Sequence, residues 1–235
     1  LRRCGVKILY TAHGFHFYKG APIINWAVFF PVEWVCAHWT DIIITINKED
    51  YRFAKRKMKF CSIEYTPGIG VDTQKFHVEV DRDAKRRDMG LPESAFVILS
   101  VGELNKNKNH QVVLKALAEF KRDEIYYVIC GEGRERYNLQ RLIRELNLDG
   151  RVKLLGYRSD IAEIYRVADI FIIPSKREGL PVAAIEALAS GLPVISSNVR
   201  GNNDYSVEGI TGFRCDPDDY NGYLEAIKTL YFDAD

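Results

Sequence analysis

Residues 170–191 read IFIIPSKREGLPVAAIEALASG, and this stretch decides the fold. Its first six residues, 170–175, form an almost continuous apolar run, which predicts a buried β-strand. Residues 183–190 predict an α-helix, which Gly191 and Pro193 end. A buried strand followed directly by a helix is typical of α/β folds, in which the helices cover a parallel sheet.

Two carboxylates lie on either side of the start of this predicted helix. Glu178 falls in the loop between strand and helix, and Glu186 follows eight positions later, about two helical turns away. The free N–H groups at a helix N-terminus, together with the helix dipole, favour a bound phosphate. Hydrogen-bond acceptors on both sides of such a phosphate-binding terminus predict a site for a sugar nucleotide.

The rest of the chain alternates strands and helices in the same way, which predicts doubly wound, Rossmann-like parallel sheets. In the first part we predict strands at 6–11, 41–46 and 62–65 and helices at 22–39 and 48–57. In the second part we predict strands at 96–101, 126–130, 152–155, 169–173 and 194–197 and helices at 110–121, 134–146, 160–167, 183–190 and 221–231.

These elements predict two domains. Residues 1–70 are the carboxyl-terminal part of one Rossmann-like domain, because three strands are too few to close a doubly wound sheet. Residues 71–94 are a linker that contains a charged, solvated helix at 79–88. Residues 95–235 form the second Rossmann-like domain, which we expect to bind the nucleotide.

Composition excludes several classes of protein. The net charge of +1 gives no overall attraction to nucleic acid. The five cysteines are odd in number and scattered, and no C-x-x-C pair occurs, so metal-ligand spacing is absent and a reducing compartment fits best. The longest apolar region, 21–39, contains Asn25, Pro31, Glu33 and His38, which makes it a poor membrane span.

Several short motifs together resemble the retaining glycosyltransferases of family 4, which have the GT-B fold. Glu178 and Glu186 match the E-x7-E signature of that family, and the resemblance covers roughly residues 5–232. The other motifs, in family order, are TAHG at 11–14, VGELNKNKN at 101–109, CGEG at 130–133, LGYRSDI at 155–161 and ADI at 168–170. The sequences GELNKNKN and NVRGN (198–202) are most similar to those of bacterial enzymes of capsule, exopolysaccharide or glycan assembly.

The resemblance implies a role for each matching residue. Glu178 would accept hydrogen bonds from the donor sugar, and His13 would face the reaction centre. Lys108 would neutralise the diphosphate, and Glu186 would bind the ribose. The backbone or side chains of a further set would hold the donor: Gly179, Leu180, Val182, Lys106, Gly102, Gly131, Tyr157 and Arg158. His16 and residues 198–203 are weaker candidates near the acceptor or the base.

The implied reaction transfers a sugar, with UDP-sugar as the expected donor, to a glycan or lipid-linked saccharide with retention of the α configuration. We expect no cofactor, no metal and no nucleic-acid partner. The aromatic stretch 15–39 suggests peripheral contact with a membrane, and we expect a cytoplasmic location, at the inner face of the membrane if that contact forms.

Two departures from the family pattern keep an alternative open. Glu103 occupies the position where the family usually has a phosphate-binding arginine, and an acid cannot clamp a phosphate. The Gly-rich loop with which the family begins is missing, so we read the chain as a fragment. A nucleotide-sugar-binding module without turnover is therefore the second hypothesis. A sugar-nucleotide epimerase is the third, although Glu132 and Glu178 are the only obvious acids for it.

Overall fold

A computed structural model describes residues 5–233, and this part of the chain divides into two compact units. The first unit contains residues 5–70 and two later segments, 178–181 and 200–204. The second unit contains the remaining described residues from Val71 onward. The predicted linker, 71–94, thus belongs to the second unit, and the predicted domain boundaries stay a prediction.

The first unit is a three-stranded parallel sheet with two helices. The strands β1 (Leu9–Ala12), β2 (Ile42–Thr45) and β3 (Ser62–Tyr65) pair in chain order. Helix α1 (Ile23–Ala37) connects the first two strands and helix α2 (Lys48–Lys57) connects the last two. Its buried core consists of small, aliphatic and aromatic side chains: Ala12, Phe15, Phe17, Ala37, Ile43, Ala54, Met58 and Ile63.

Helix α2 has a complete set of terminal signals. The side chain of Asn47 caps it by accepting a hydrogen bond from the Asp50 N–H at 2.8 Å. Acidic residues occupy its first turn and three basic residues its last turn, which complements the helix dipole. The sequence-based bounds of this helix, 48–57, are confirmed.

The second unit is built on a six-stranded parallel sheet in the order β6-β5-β4-β7-β8-β9. The strands are β4 (Phe96–Val101), β5 (Ile125–Cys130), β6 (Val152–Gly156), β7 (Ile170–Ile173), β8 (Val194–Ser197) and β9 (Gly212–Cys215). The helices are α3 (Arg82–Asp88), α4 (Gln111–Glu119), α5 (Arg136–Glu145), α6 (Ile161–Val167), α7 (Val182–Ala189) and α8 (Tyr220–Phe232). Two apolar clusters cover opposite faces of this sheet, as its nearly all-apolar central strands require.

The strand order of the second unit determines where a ligand can bind. From β4 the chain proceeds outward to β5 and β6, and then returns to add β7 on the other side of β4. In open parallel sheets this reversal leaves a crevice at the carboxyl ends of the strands. The loops after β4, β5 and β6 lie at that end, and they carry three of the predicted motifs.

The structure adds one buried contact and one strand to the predicted elements. The charged segment 79–88 contains helix α3, most of whose side chains are exposed as predicted, but Arg86 is 5% exposed and donates to the carbonyl of Val167 and to Asp169. The sequence does not reveal this contact, because Arg86 has the same positive charge as the exposed basic residues of the same segment. Strand β9 was not predicted, since its four residues are interrupted by Arg214 and give no apolar run.

Within residues 5–233, no helix is both long and apolar enough to cross a bilayer. The four described cysteines, Cys36, Cys61, Cys130 and Cys215, are unpaired thiols. Burial raises the pKa of Cys130 to about 12, so this thiol stays protonated and unreactive at neutral pH.

Candidate functional site

Glycines continue the sheet of the second unit beyond the ends of its strands. The Gly102 N–H donates to the Cys130 carbonyl at 2.9 Å, and the Gly131 N–H donates to the Gly156 carbonyl at 2.8 Å. A Cβ atom on Gly131 would lie 1.9 Å from the Gly102 oxygen, and the φ of Gly131 is 150°. Only glycine fits here, so the loops after β4 and β5 can lie backbone against backbone.

These loops form the floor of a cavity of about 640 Å³. That size is typical of sites for nucleotide-sized ligands. Its lining comes from the ends of β4, β5 and β6 and from helices α6 and α7, and it includes five of the predicted donor-binding or catalytic-motif positions: Gly102, Gly131, Tyr157, Arg158 and Glu186. These residues lie up to 84 positions apart in the sequence, and the fold of the second unit brings them to the wall of one cavity.

Tyr165 holds Glu186 in place at this cavity. Its hydroxyl has two acceptors within hydrogen-bond distance, the Ala183 carbonyl at 2.9 Å and Glu186 Oε2 at 3.2 Å, and shares its single proton between them. The Tyr165 side chain is buried, and burial together with the Glu186 charge raises the pKa of Tyr165 well above its usual range. The phenol therefore remains a hydrogen-bond donor, and it fixes the Glu186 carboxylate at the wall of the cavity.

Arg158 lines the cavity but is already paired with acids. Its Nε donates to Asp160 Oδ1 at 2.8 Å, and its Nη2 lies 3.0 Å from Asp88 Oδ2. These contacts raise the pKa of Arg158 and hold the pKa of Asp160 well below its usual range. The guanidinium thus holds α3 next to the cavity. Because this side chain is already paired, the backbone of Arg158 is the part best suited to bind a ligand.

The two predicted phosphate-binding lysines lie in different places within the second unit. The Lys108 side chain lies against Gly102, where an added Cβ would be 3.2 Å from Lys108 Cε. Lys106 lines a separate cavity of about 250 Å³ next to helices α4 and α5. Glu103 lines the larger cavity and accepts a hydrogen bond from Asn105 at 3.0 Å. Lys106 is thus not among the residues that line the larger cavity, and its role in binding the donor stays a prediction.

In the first unit, three glycines let distant loops pack closely. His13 follows β1 and is exposed, and a Cβ on Gly179 would lie 1.9 Å from its carbonyl oxygen. A Cβ on Gly201 would lie 2.2 Å from the Gly179 oxygen. Gly14, with a φ of 142°, also approaches Gly179. The loop that carries His13 and the loop that carries Glu178 are thus neighbours in this unit.

A buried ion pair stabilises these loops. Arg200 Nη1 donates to Asp50 Oδ1 at 2.7 Å, and its Nη2 donates to the Phe15 carbonyl at 2.6 Å. The second Asp50 oxygen accepts from the Phe15 N–H at 3.0 Å. Both the N–H and the carbonyl of Phe15 are therefore bonded to the pair, which fixes the backbone two residues after His13.

The family comparison agrees with this architecture. A sequence profile of the family described as Glycosyl transferases group 1 matches residues 81–234. The chain belongs to the group 1 glycosyl transferases. The predicted GT-B fold class is confirmed.

Two curated relatives of this chain are named as a glycosyltransferase and a galactosyltransferase. The chain is 36% identical over 235 residues to the putative glycosyltransferase EpsD of Bacillus subtilis, with 98% of this chain and 62% of that protein covered. It is 31% identical to the UDP-Gal:alpha-D-GlcNAc-diphosphoundecaprenol alpha-1,3-galactosyltransferase of Escherichia coli, with 96% and 60% covered. The chain thus spans about three fifths of the length of these relatives.

Solved structures share the fold of this group 1 glycosyl transferase. Anabaena HepE in complex with UDP and glucose matches with a TM-score of 0.84 at 20% identity, over 97% of this chain and 63% of that one. The sucrose-phosphate synthase of Thermosynechococcus elongatus matches with a TM-score of 0.83 at 24% identity, over 96% and 58%. At such low identity the likeness shows the fold alone.

Sequence reasoning missed several residues of the group 1 glycosyl transferase that shape these sites. Tyr165 was read only as part of a helix, although its apolar surroundings could have indicated a buried phenol in need of a partner. Lys75 and Phe76 line the larger cavity, although the sequence predicts that they belong to the linker. Asp50 and Arg200 lie 150 positions apart, and no pattern in a single sequence connects them.

Proposed function

We propose that this chain is the donor-binding part of a retaining, metal-independent glycosyltransferase that uses a UDP-sugar. The observation that carries this proposal is Glu186, held by Tyr165 at the wall of a cavity of about 640 Å³ at the carboxyl ends of β4–β6. A carboxylate in that position can accept hydrogen bonds from both hydroxyls of a ribose. The structure of HepE was solved with UDP, which supports the same nucleotide here.

The remaining roles follow from the motif positions. Lys108, next to Gly102, would stabilise the charge of the departing diphosphate, and the first residue of α7, Val182, would offer a backbone N–H. Glu178 and His13 would contact the transferred sugar. Among residues 5–233 no group of three or more His, Cys, Asp or Glu is arranged to hold a metal. The proposal assigns charge stabilisation to Lys108 and to amide groups.

We propose a lipid-linked saccharide as acceptor. The relative from Escherichia coli is named for transfer to a sugar on diphosphoundecaprenol, and EpsD is named as a glycosyltransferase. The enzyme would position the acceptor hydroxyl on the face from which the diphosphate leaves. The new bond then keeps the α configuration, and exclusion of water protects the donor from hydrolysis.

A transfer assay tests this function. The chain is incubated with a UDP-sugar and a short-chain lipid diphosphate saccharide, with and without EDTA, and proton NMR follows the anomeric signal of the product. An α-linked product that forms equally with EDTA supports a retaining, metal-independent transferase. A β-linked product, or a reaction that EDTA abolishes, contradicts it.

One observation favours a second candidate function, a nucleotide-sugar-binding module without turnover. Glu103 lines the cavity where the family usually has an arginine, and its negative charge opposes a diphosphate. Slow hydrolysis of the donor separates the two candidates. A chain that binds a UDP-sugar but neither transfers nor hydrolyses it is the module, and Glu103→Arg would then increase its affinity for the donor.

A further inference from the structure

The first unit contains a second cavity, of about 550 Å³, that none of the predicted site residues lines. It lies between the loop that follows β1, helix α1 and helix α2. Three aromatic side chains form much of its wall: the ring centroid of Phe53 lies 5.3 Å from that of Phe17 and 5.7 Å from that of Trp26. The residues that complete the lining are Tyr18, Lys19, Glu49, Asp50, Arg52 and Arg56.

The two acids of this lining are already engaged. Asp50 is bonded to Arg200, to the Asn47 side chain and to the Phe15 N–H. Glu49 accepts from the Lys19 N–H at 3.4 Å and lies in the first turn of α2, where the helix dipole favours a negative charge. Arg200 offsets the charge of Asp50, so the three cationic side chains of the lining outnumber its one remaining acid, Glu49, and the cavity attracts anions.

The cationic groups are Lys19, Arg52 and Arg56. The two arginines are four positions apart on α2 and therefore share one face of the helix. Both are exposed, and within residues 5–233 neither guanidinium has a carboxylate within 4.0 Å. Two guanidinium groups at one cavity suit a diphosphate, because each can bind phosphate oxygens through two parallel N–H groups.

We propose that this cavity binds the diphosphate and the adjoining sugar or first prenyl unit of a lipid-linked acceptor. Arg52 and Arg56 bind the diphosphate, and the aromatic wall packs against the apolar face of the sugar or the prenyl unit that adjoins it. The inference rests on the proposed function, since it names the acceptor of that same reaction. A neutral glycan acceptor would leave the two arginines without a role.

Binding to the 235-residue chain tests the inference with four probes: N-acetylglucosaminyl diphosphate that carries a farnesyl chain, N-acetylglucosamine 1-phosphate, free N-acetylglucosamine and inorganic phosphate. Calorimetry is run on the unchanged chain, on Arg52→Gln and on Arg56→Gln. Lys57→Gln, at an exposed cation of the same helix that does not line the cavity, is the matched control.

We expect the tailed sugar diphosphate to bind at least about 10-fold more tightly than the sugar phosphate. Neutral sugar and inorganic phosphate should bind more weakly still. Loss of a charge-assisted hydrogen bond should weaken binding of the tailed probe about 10-fold in each arginine variant, and Lys57→Gln should stay within about two-fold of the unchanged chain. Both replaced side chains are exposed, so the variants should fold, which circular dichroism verifies.

Equal affinity of the tailed probe for the unchanged chain and both arginine variants would overturn the inference, as would equal binding of neutral sugar. A UDP titration of the same samples separates this failure from failure of the proposed function. If UDP binds but the arginine replacements leave the affinity for the acceptor probe unchanged, only the proposal of the acceptor cavity is overturned. Folded samples that bind neither UDP nor the probe contradict both proposals.

Discussion

Arg200 and Asp50 form a buried ion pair in which Nη1 and Oδ1 are 2.7 Å apart and the side chains are 5% and 2% exposed. The Arg200 guanidinium also lies 4.7 Å above the Tyr18 ring. Burial raises the pKa of Asp50, and the charge of Arg200 opposes that shift. The pair forms hydrogen bonds with both the N–H and the carbonyl of Phe15, so it links the residues after His13 to the segment 200–204.

Removal of one partner of this pair should destabilise the first unit strongly. Asp50→Ala leaves the Arg200 charge buried and unpaired, which should lower the free energy of unfolding by about 3–5 kcal/mol. Chemical denaturation measures the change. Lys7→Gln is the control, because the Lys7–Asp41 pair is exposed on the lysine side and should contribute about 1 kcal/mol or less. Equal effects of the two replacements would show that the buried pair is not a stabilising link.

Tyr165→Phe should weaken nucleotide binding through Glu186. The variant keeps the ring and removes the hydroxyl that orients the carboxylate, a loss of about 1 kcal/mol, or about five-fold in the Kd for UDP. Calorimetry measures the Kd. Tyr137→Phe, at an exposed phenol on α5, should leave it unchanged. If both variants bind UDP like the unchanged chain, Tyr165 does not position Glu186.

Gly131→Ala should destabilise the second unit, because its Cβ would lie 1.9 Å from the Gly102 oxygen at a φ of 150°. We expect a loss of at least about 2 kcal/mol in the free energy of unfolding, together with weaker UDP binding. Gly150→Ala is the matched control, since nothing lies within 4 Å of its added Cβ and its φ is not positive. A neutral Gly131→Ala would mean that the loops after β4 and β5 are not closely packed.

His110 should make stability depend on pH. Its ring is buried beside Tyr127, with Nδ1 2.9 Å from the phenol oxygen, and burial lowers the pKa of His110 to about 3. The unfolded chain, with a pKa near 6.5, binds the proton more readily between these values. Stability should therefore be full above about pH 6.5 and should fall as the pH drops, by up to about 1.4 kcal/mol per unit.

Denaturation of His110→Gln between pH 4 and 8 tests this origin, and the variant should have a shallower slope below about pH 6.5 than the unchanged chain. The carboxylates are common to both proteins, so the difference between the two curves isolates the histidine. Parallel curves would contradict a neutral, buried His110 in the folded chain.

The sequence predicts local features well because strand and helix patterns depend on neighbouring residues. The bounds of α2 and β8 agree with the structure, and Gly102, Gly131 and Glu186 reach the same cavity because parallel strands end at one edge. Lys106 shows the limit of this reasoning. Its motif also carries Gly102, yet its side chain lines a cavity separate from the one that Gly102, Gly131 and Glu186 line.

Long-range polar contacts could not be predicted, because no local pattern marks them. Asp169 illustrates this point: its carboxylate accepts from the Val97 N–H at 2.6 Å and from Arg86 at 2.9 Å, so this motif residue anchors α3 to the sheet. The resemblance supplied the motif but not this structural role. The contacts of Tyr165 with Glu186 and of Arg200 with Asp50 were missed for the same reason, since these partners lie 21 and 150 positions apart.

Calorimetry of UDP binding, with GDP and ADP for comparison, tests the central claim most directly. It is run on the unchanged chain and on Glu186→Gln, with Glu145→Gln on α5 as an exposed control. The account predicts selective binding of UDP, a loss of at least about 10-fold in Glu186→Gln and none in the control. UDP binding that Glu186→Gln leaves unchanged, or no nucleotide binding by the folded chain, would contradict the assignment of this cavity to the donor.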